Sequence, residues 1–112
     1  MNTLRVIDII GTQNAILHKF GLQVFEALKP YTSSNQPIIL SFEGLKNVTS
    51  GFCNASIGKA YLEFDNTNQL LTIVGSENNP IWQEKIQDAI SLATTPEKIK
   101  IQDQAVSELL CS

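Results

Sequence analysis

The stretch Pro37-Ile38-Ile39-Leu40-Ser41-Phe42-Glu43-Gly44, followed by Val48-Thr49-Ser50-Gly51-Phe52, decides how the chain is read. Its first half is a short, nearly continuous apolar run, bounded by a polar loop before it and Glu43-Gly44 after it. Such a run suits a strand covered on both faces, as in a parallel sheet. Its second half places Thr49 or Ser50 where a helix N-cap belongs. The helix that follows runs to about Phe64, with Phe52 or Cys53, Ile57, Ala60 or Tyr61, and Phe64 on its inner face. Gly51, Ala55, Ser56 and Gly58 make its first turns small. Gly58 costs about 1 kcal/mol relative to Ala, so a close approach by a neighbouring element is its expected reason.

The same alternation continues outward. Toward the N-terminus, Leu4-Arg5-Val6-Ile7-Asp8-Ile9-Ile10 is β-branched and reads as a first strand. Residues 13–29 carry Ile16 or Leu17, Phe20, Val24 and Leu28 at helical spacing, and Pro30 is expected to stop that helix. Toward the C-terminus, a turn at 65–68 leads into Leu70-Leu71-Thr72-Ile73-Val74, a third strand ending at Gly75. A helix with Pro80 near N1 then carries Trp82, Ile86, Ala89 or Ile90, and Ala93. Lys98-Ile99-Lys100-Ile101-Gln102 alternates strictly, as a half-exposed edge strand does, and Asp103 could cap a final short helix. The order β-α-β-α-β-α-β-α predicts one α/β domain over residues 1–112, a four-stranded, mainly parallel sheet with flanking helices.

Composition narrows the function classes. The chain has 112 residues, 43% hydrophobic and 17% charged, with six glycines and four prolines, which fits one packed domain and excludes a disordered or collagen-like chain. The net charge of −3 argues against a nucleic-acid partner. No apolar run approaches the ~18 residues that span a bilayer, and Arg5 and Asp8 interrupt the first apolar stretch, so neither a membrane span nor a signal peptide is expected. The two cysteines, Cys53 and Cys111, lack the number and spacing of a disulfide framework or metal site. Cys53 is expected to be a packed, reduced thiol, in keeping with a cytoplasmic protein.

Enzyme chemistry finds little to build on. His18, the one histidine, stands on a predicted helix with no nucleophile elbow nearby. Asp8, Glu43, Glu63 and Asp65 are scattered, and Gly58-Lys59 is only a fragment of a phosphate loop. No metal and no cofactor are expected. What stands out is the Thr49-Ser50-Gly51 step, two hydroxyls at a helix N-terminus where free N–H groups and the positive end of the helix dipole gather. An added phosphate would be well accommodated there, bringing about −1.5 to −2 charges. Physically, a plain N-cap is the simpler account of the same residues.

The pattern Ile38-Ile39-Leu40-Ser41-Phe42-Glu43-Gly44-Leu45, Val48-Thr49-Ser50-Gly51-Phe52, then Leu70 to Gly75, resembles the core of STAS domains, the fold of anti-sigma-factor antagonists. Ile99-Lys100-Ile101-Gln102-Asp103 with Ala105-Val106-Ser107-Glu108-Leu109-Leu110 resembles the family's closing strand and helix. Gly58-Lys59-Ala60-Tyr61 brings the chain nearest to the STAS-like family of unknown function. The resemblance implies a non-enzymatic bacterial switch that binds a GHKL-type serine kinase, itself an anti-sigma factor, and is released by phosphorylation at the helix start. Position by position, it makes Ser50 the acceptor, with Thr49 before it and Gly51 after it. Ser41 and Val48 stand where the family often carries Asp. A different class, a small-ligand or nucleotide-binding domain, would use the same helix N-terminus and the strand ends as an anion pocket.

Overall fold

The computed structural model describes residues 2–94, so the expected strand at 98–102, the helix after Asp103 and Cys111 lie outside the described residues. In chain order the elements are β1 (Asn2–Arg5), α1 (Val6–Ile10), β2 (Asn14–Ala15), α2 (His18–Ser33), β3 (Ile38–Ser41) and β4 (Asn47–Val48). A continuous helix, α3, then covers residues 50–63 in three parts: α-helical Ser50–Cys53, a π-helical turn Asn54–Gly58, and α-helical Lys59–Glu63. The short α4 (Thr67–Leu70), β5 (Leu71–Val74) and α5 (Pro80–Thr94) follow.

This is a mixed α/β fold with parallel strands. Its sheet is not the expected single four-stranded one: among the described residues β1, β3 and β5 lie side by side in that order, and β2 pairs with β4 in a separate two-stranded sheet. Register decides which side chains share a face. Leu4, Leu40 and Ile73 are partners, as are Asn2, Ile38 and Leu71. This face belongs to the core, with Ile38, Leu40 and Leu71 buried. The other face carries exposed Thr3, Arg5 and Thr72 beside half-buried Ile39 and Val74.

Two expectations near the N-terminus are corrected. The first strand ends at Arg5, and Val6–Ile10 coils into a helical turn closed by Gly11. Gly11 sits at φ 74°, and its N–H bonds to the Ile7 carbonyl at 2.9 Å. A β-branched apolar run suits either a buried strand or a short buried helix, and the left-handed glycine cap favours the second. The second correction concerns α2, which starts at His18 rather than Gln13 and passes through Pro30 to Ser33. Proline removes the N–H that would bond the Glu26 carbonyl, but Glu26 is exposed and water can serve it. The last turn is held from elsewhere: buried Thr32 donates to the Leu28 and Lys29 carbonyls, and Asn66 Nδ2 donates to the Thr32 carbonyl at 3.2 Å.

Helix α3 is the central element. A Cβ on Gly21 of α2 would stand 2.6 Å from Ala55 Cβ and 2.7 Å from the Phe52 carbonyl, so α2 crosses α3 with backbones nearly touching. On the other side, a Cβ on Gly58 would stand 3.4 Å from the Ala89 carbonyl of α5, the close approach that Gly58 suggested. Buried Ser56 donates to the Phe52 carbonyl at 2.8 Å within the π turn. Phe42, Phe52, Leu28, Ile38, Leu40 and Ile57 are fully buried, each worth about 1.5–3 kcal/mol of transfer free energy. The Phe42 ring packs edge-on to Phe52 at 6.2 Å and tilted to Trp82 at 6.4 Å. The expected turn at 65–68 tightens into α4, where the buried Thr67 hydroxyl donates to the Ala60 and Phe64 carbonyls at the end of α3. Asn79 caps α5 by accepting the Trp82 N–H at 3.1 Å, with Pro80 as its first residue.

Candidate functional site

The start of α3 is assembled from three pieces of chain. The β2–β4 pairing sets Ala15 against Val48, and the Thr49 N–H continues it by donating to the Ala15 carbonyl at 3.2 Å. Thr49 is extended, at φ −107° and ψ 161°, and is the N-cap. Its hydroxyl oxygen accepts the Phe52 N–H at 3.2 Å while donating to the Ile16 carbonyl at 3.1 Å. The Thr49 hydroxyl is therefore committed to structure, as capping chemistry requires.

Ser50 is the first helical residue, and it is exposed. Gly51 is also exposed, and a Cβ built on it would meet nothing within 4 Å, so neither packing nor conformation calls for glycine there. Two adjacent hydroxyls thus part company, one holding the helix start and the other facing outward beside a bare backbone. Lys85 of α5 reaches the same end, its Nζ donating to the Val48 carbonyl at 2.8 Å.

Sequence periodicity missed two residues of this surface. Ile16 or Leu17 was expected to start the apolar stripe of a helix, yet both precede α2 and are 47% and 46% exposed. The Thr49 hydroxyl bonds to the Ile16 carbonyl, so the backbone at Ile16 lies against the α3 start. The available signal was the run Gly11-Thr12-Gln13-Asn14, whose breaker residues delay the helix. Lys85 carried no signal, because only the fold brings it to Val48.

The other candidates are not brought together. His18 is exposed on the first turn of α2, whereas Cys53 is buried inside α3. Burial pushes the Cys53 thiol up to about 12, against a smaller lowering by Lys85, so it stays protonated near neutral pH. Asp8, Glu43, Glu63 and Asp65 are all exposed. Ser41, where an Asp is frequent in STAS domains, is buried and accepts the Glu43 N–H at 3.2 Å. Among the described residues no group of three or more His, Cys, Asp or Glu could hold a metal, and no helix is long and apolar enough to cross a membrane. A cavity of about 430 Å³ lies between β5, Tyr61 and α5, and Thr49, Ser50 and Gly51 do not line it.

Parallel strands backed by helices are consistent with a STAS-like domain. The chain belongs to the family described as the STAS-like domain of unknown function (DUF4325), which it matches over residues 21–80, more than half its length. The match runs from α2 through β3, the α3 start and β5 to the first residue of α5. No curated protein and no solved structure matches the chain.

Proposed function

We propose that this domain is a non-enzymatic regulatory module that docks a protein partner through the start of α3, with Ser50 as its phosphoacceptor. The observation that carries the reading is the division of labour between neighbours: the Thr49 hydroxyl is consumed by the cap, and Ser50 is left exposed next to Gly51. Ile16 and Leu17 are exposed on the segment whose backbone Thr49 holds, and supply apolar contact area for the partner. The partner that the STAS-like resemblance suggests is a GHKL-type serine kinase acting as an anti-sigma factor, and its use of ATP is in keeping with a cytoplasmic pair.

In the proposed step the Ser50 oxygen attacks the γ-phosphorus of ATP, the bond to the β-phosphate oxygen breaks, ADP leaves, and a kinase base takes the hydroxyl proton. The product adds about −1.5 to −2 charges at a helix N-terminus. The dipole and the Lys85 ammonium near Val48 favour that charge. The same charge opposes a partner docked at the start of α3, so modification releases it.

The test is incubation of the full chain with the GHKL-type serine kinase of the same genome and ATP, read by intact mass. A single phosphate that maps to Ser50, and is lost in Ser50→Ala, supports the switch. A phosphate elsewhere, or none, overturns it. The docking surface is tested separately by titration of the unmodified partners.

A further inference from the structure

We infer that the cavity of about 430 Å³ between β5, Tyr61 of α3 and α5 binds a small neutral molecule with an apolar ring and an amide-type edge. The inference is independent of Ser50, which does not line the cavity. Its volume falls within the range of small-molecule sites, which combine apolar walls with a few convergent polar groups.

The Ser76 hydroxyl carries the argument. Ser76 stands just beyond β5 and is only 6% exposed, yet its hydroxyl bonds to no described residue. Buried hydroxyls in folded proteins are as a rule hydrogen-bonded. Among the described residues no side-chain oxygen sealed from solvent lacks a partner, so the Ser76 oxygen opens onto space, and Ser76 lines the cavity. Its position is fixed by the loop around it. The Gly75 N–H donates to Glu77 Oε2 at 2.8 Å, and the Asn79 N–H donates to the Ser76 carbonyl at 3.0 Å. A Cβ on Gly75, at φ 87°, would stand 2.6 Å from the Glu43 nitrogen, so this loop is pressed onto the end of β3. A hydroxyl held this way is organised before any ligand arrives.

The remaining lining sets the ligand's chemistry. Leu71 and Ile73 of β5, with Ile86 and Ile90 of α5, form an apolar wall that suits a ring. Gln83 and Gln87 stand one turn apart on the same stripe of α5, and neither amide bonds to a described residue. Each amide offers a donor beside an acceptor, the complement of a carboxamide or lactam edge. The Tyr61 hydroxyl adds a further donor. No lining residue is Lys, Arg, His, Asp or Glu, so an ionised ligand would leave water without a partner for its charge.

NMR titration of the full chain with uracil and with nicotinamide tests this. At least one of the two should shift the Ser76 amide and the Gln83 and Gln87 side-chain amides, and leave the Ser50 amide unmoved. The matching carboxylates, orotate and nicotinate, should bind about 10-fold more weakly or worse. Ser76→Ala and Gln87→Leu should each weaken the neutral compound about 10-fold with the melting temperature unchanged, because neither side chain bonds to the described protein. No shift at these groups with either neutral compound overturns the proposal. So does equal binding of the carboxylate, or full affinity in either variant. Nuclear Overhauser contacts from another segment of the chain to Ile73 and Ile90 in the free protein would show the cavity already filled, and overturn it equally.

Discussion

The Thr49 hydroxyl donates to the Ile16 carbonyl across 3.1 Å, tying the start of α3 to the chain just before α2. This bond holds the backbone at Ile16 against the residue before Ser50, and the same oxygen caps the helix by accepting the Phe52 N–H. Structure and proposed recognition therefore meet in one side chain.

Replacing it separates the two roles. Thr49→Ala removes the cap and the tie, and is expected to cost about 1–2 kcal/mol in urea unfolding. Thr49→Ser keeps both bonds and should cost well under 1 kcal/mol. Equal losses in the two variants would show that the methyl group, rather than the hydroxyl, matters.

Gly51 offers the opposite trade. Nothing within 4 Å would meet a Cβ there, so Gly51→Ala should stabilise the helix by about 0.5–1 kcal/mol. The methyl group crowds the surface next to Ser50, so partner affinity should fall although the fold is firmer. Calorimetric melting alongside a binding titration checks both directions.

The helix crossing at Gly21 permits no such freedom. Gly21→Ala would set a methyl group 2.6 Å from Ala55 Cβ and is expected to destabilise by about 1–3 kcal/mol. The backbone contact with the Phe52 carbonyl at 2.7 Å remains, so adding Ala55→Gly should recover only part of the loss. Denaturant midpoints of the single and double variants measure the coupling.

Alkaline pH should weaken the fold through the buried thiol. Cys53 is raised from 9.0 to about 12 by burial, so the folded chain resists a deprotonation that the unfolded chain undergoes near 9. Its stabilising contribution is complete below pH 9 and is lost as pH rises from 9 toward 12. Burial also raises Tyr61 from 10.0, which acts in the same direction. Unfolding free energies between pH 8 and 11 should fall more steeply for the wild type than for Cys53→Ala.

Much of this architecture is written locally, and the misreadings have physical causes. The run at 38–41 and the capped helix after Thr49 were legible because period, cap and loop residues agree there. The helix start falls at the hydroxyl step, with Thr49 as its N-cap and Ser50 as its first, exposed residue. Pro30 misled because proline's local cost is overridden by contacts from Thr32 and Asn66, the latter distant in sequence. The apolar run at 6–10 misled because a β-branched segment carries no periodicity decisive between strand and helical turn. Ile16 and Leu17 matched a helical stripe by spacing alone, although Ala15 had already been drawn into a strand by Val48. Such pairings join residues far apart in the chain, which no local pattern records.

The docking claim is tested most directly by calorimetric titration of the unmodified chain, Ser50→Asp and Leu17→Asp against the GHKL-type serine kinase with bound nucleotide. Wild type should bind, and each variant should bind at least 10-fold more weakly, about 1.4 kcal/mol, with its melting temperature preserved. Equal affinity of all three proteins would contradict the placement of the interface at the start of α3.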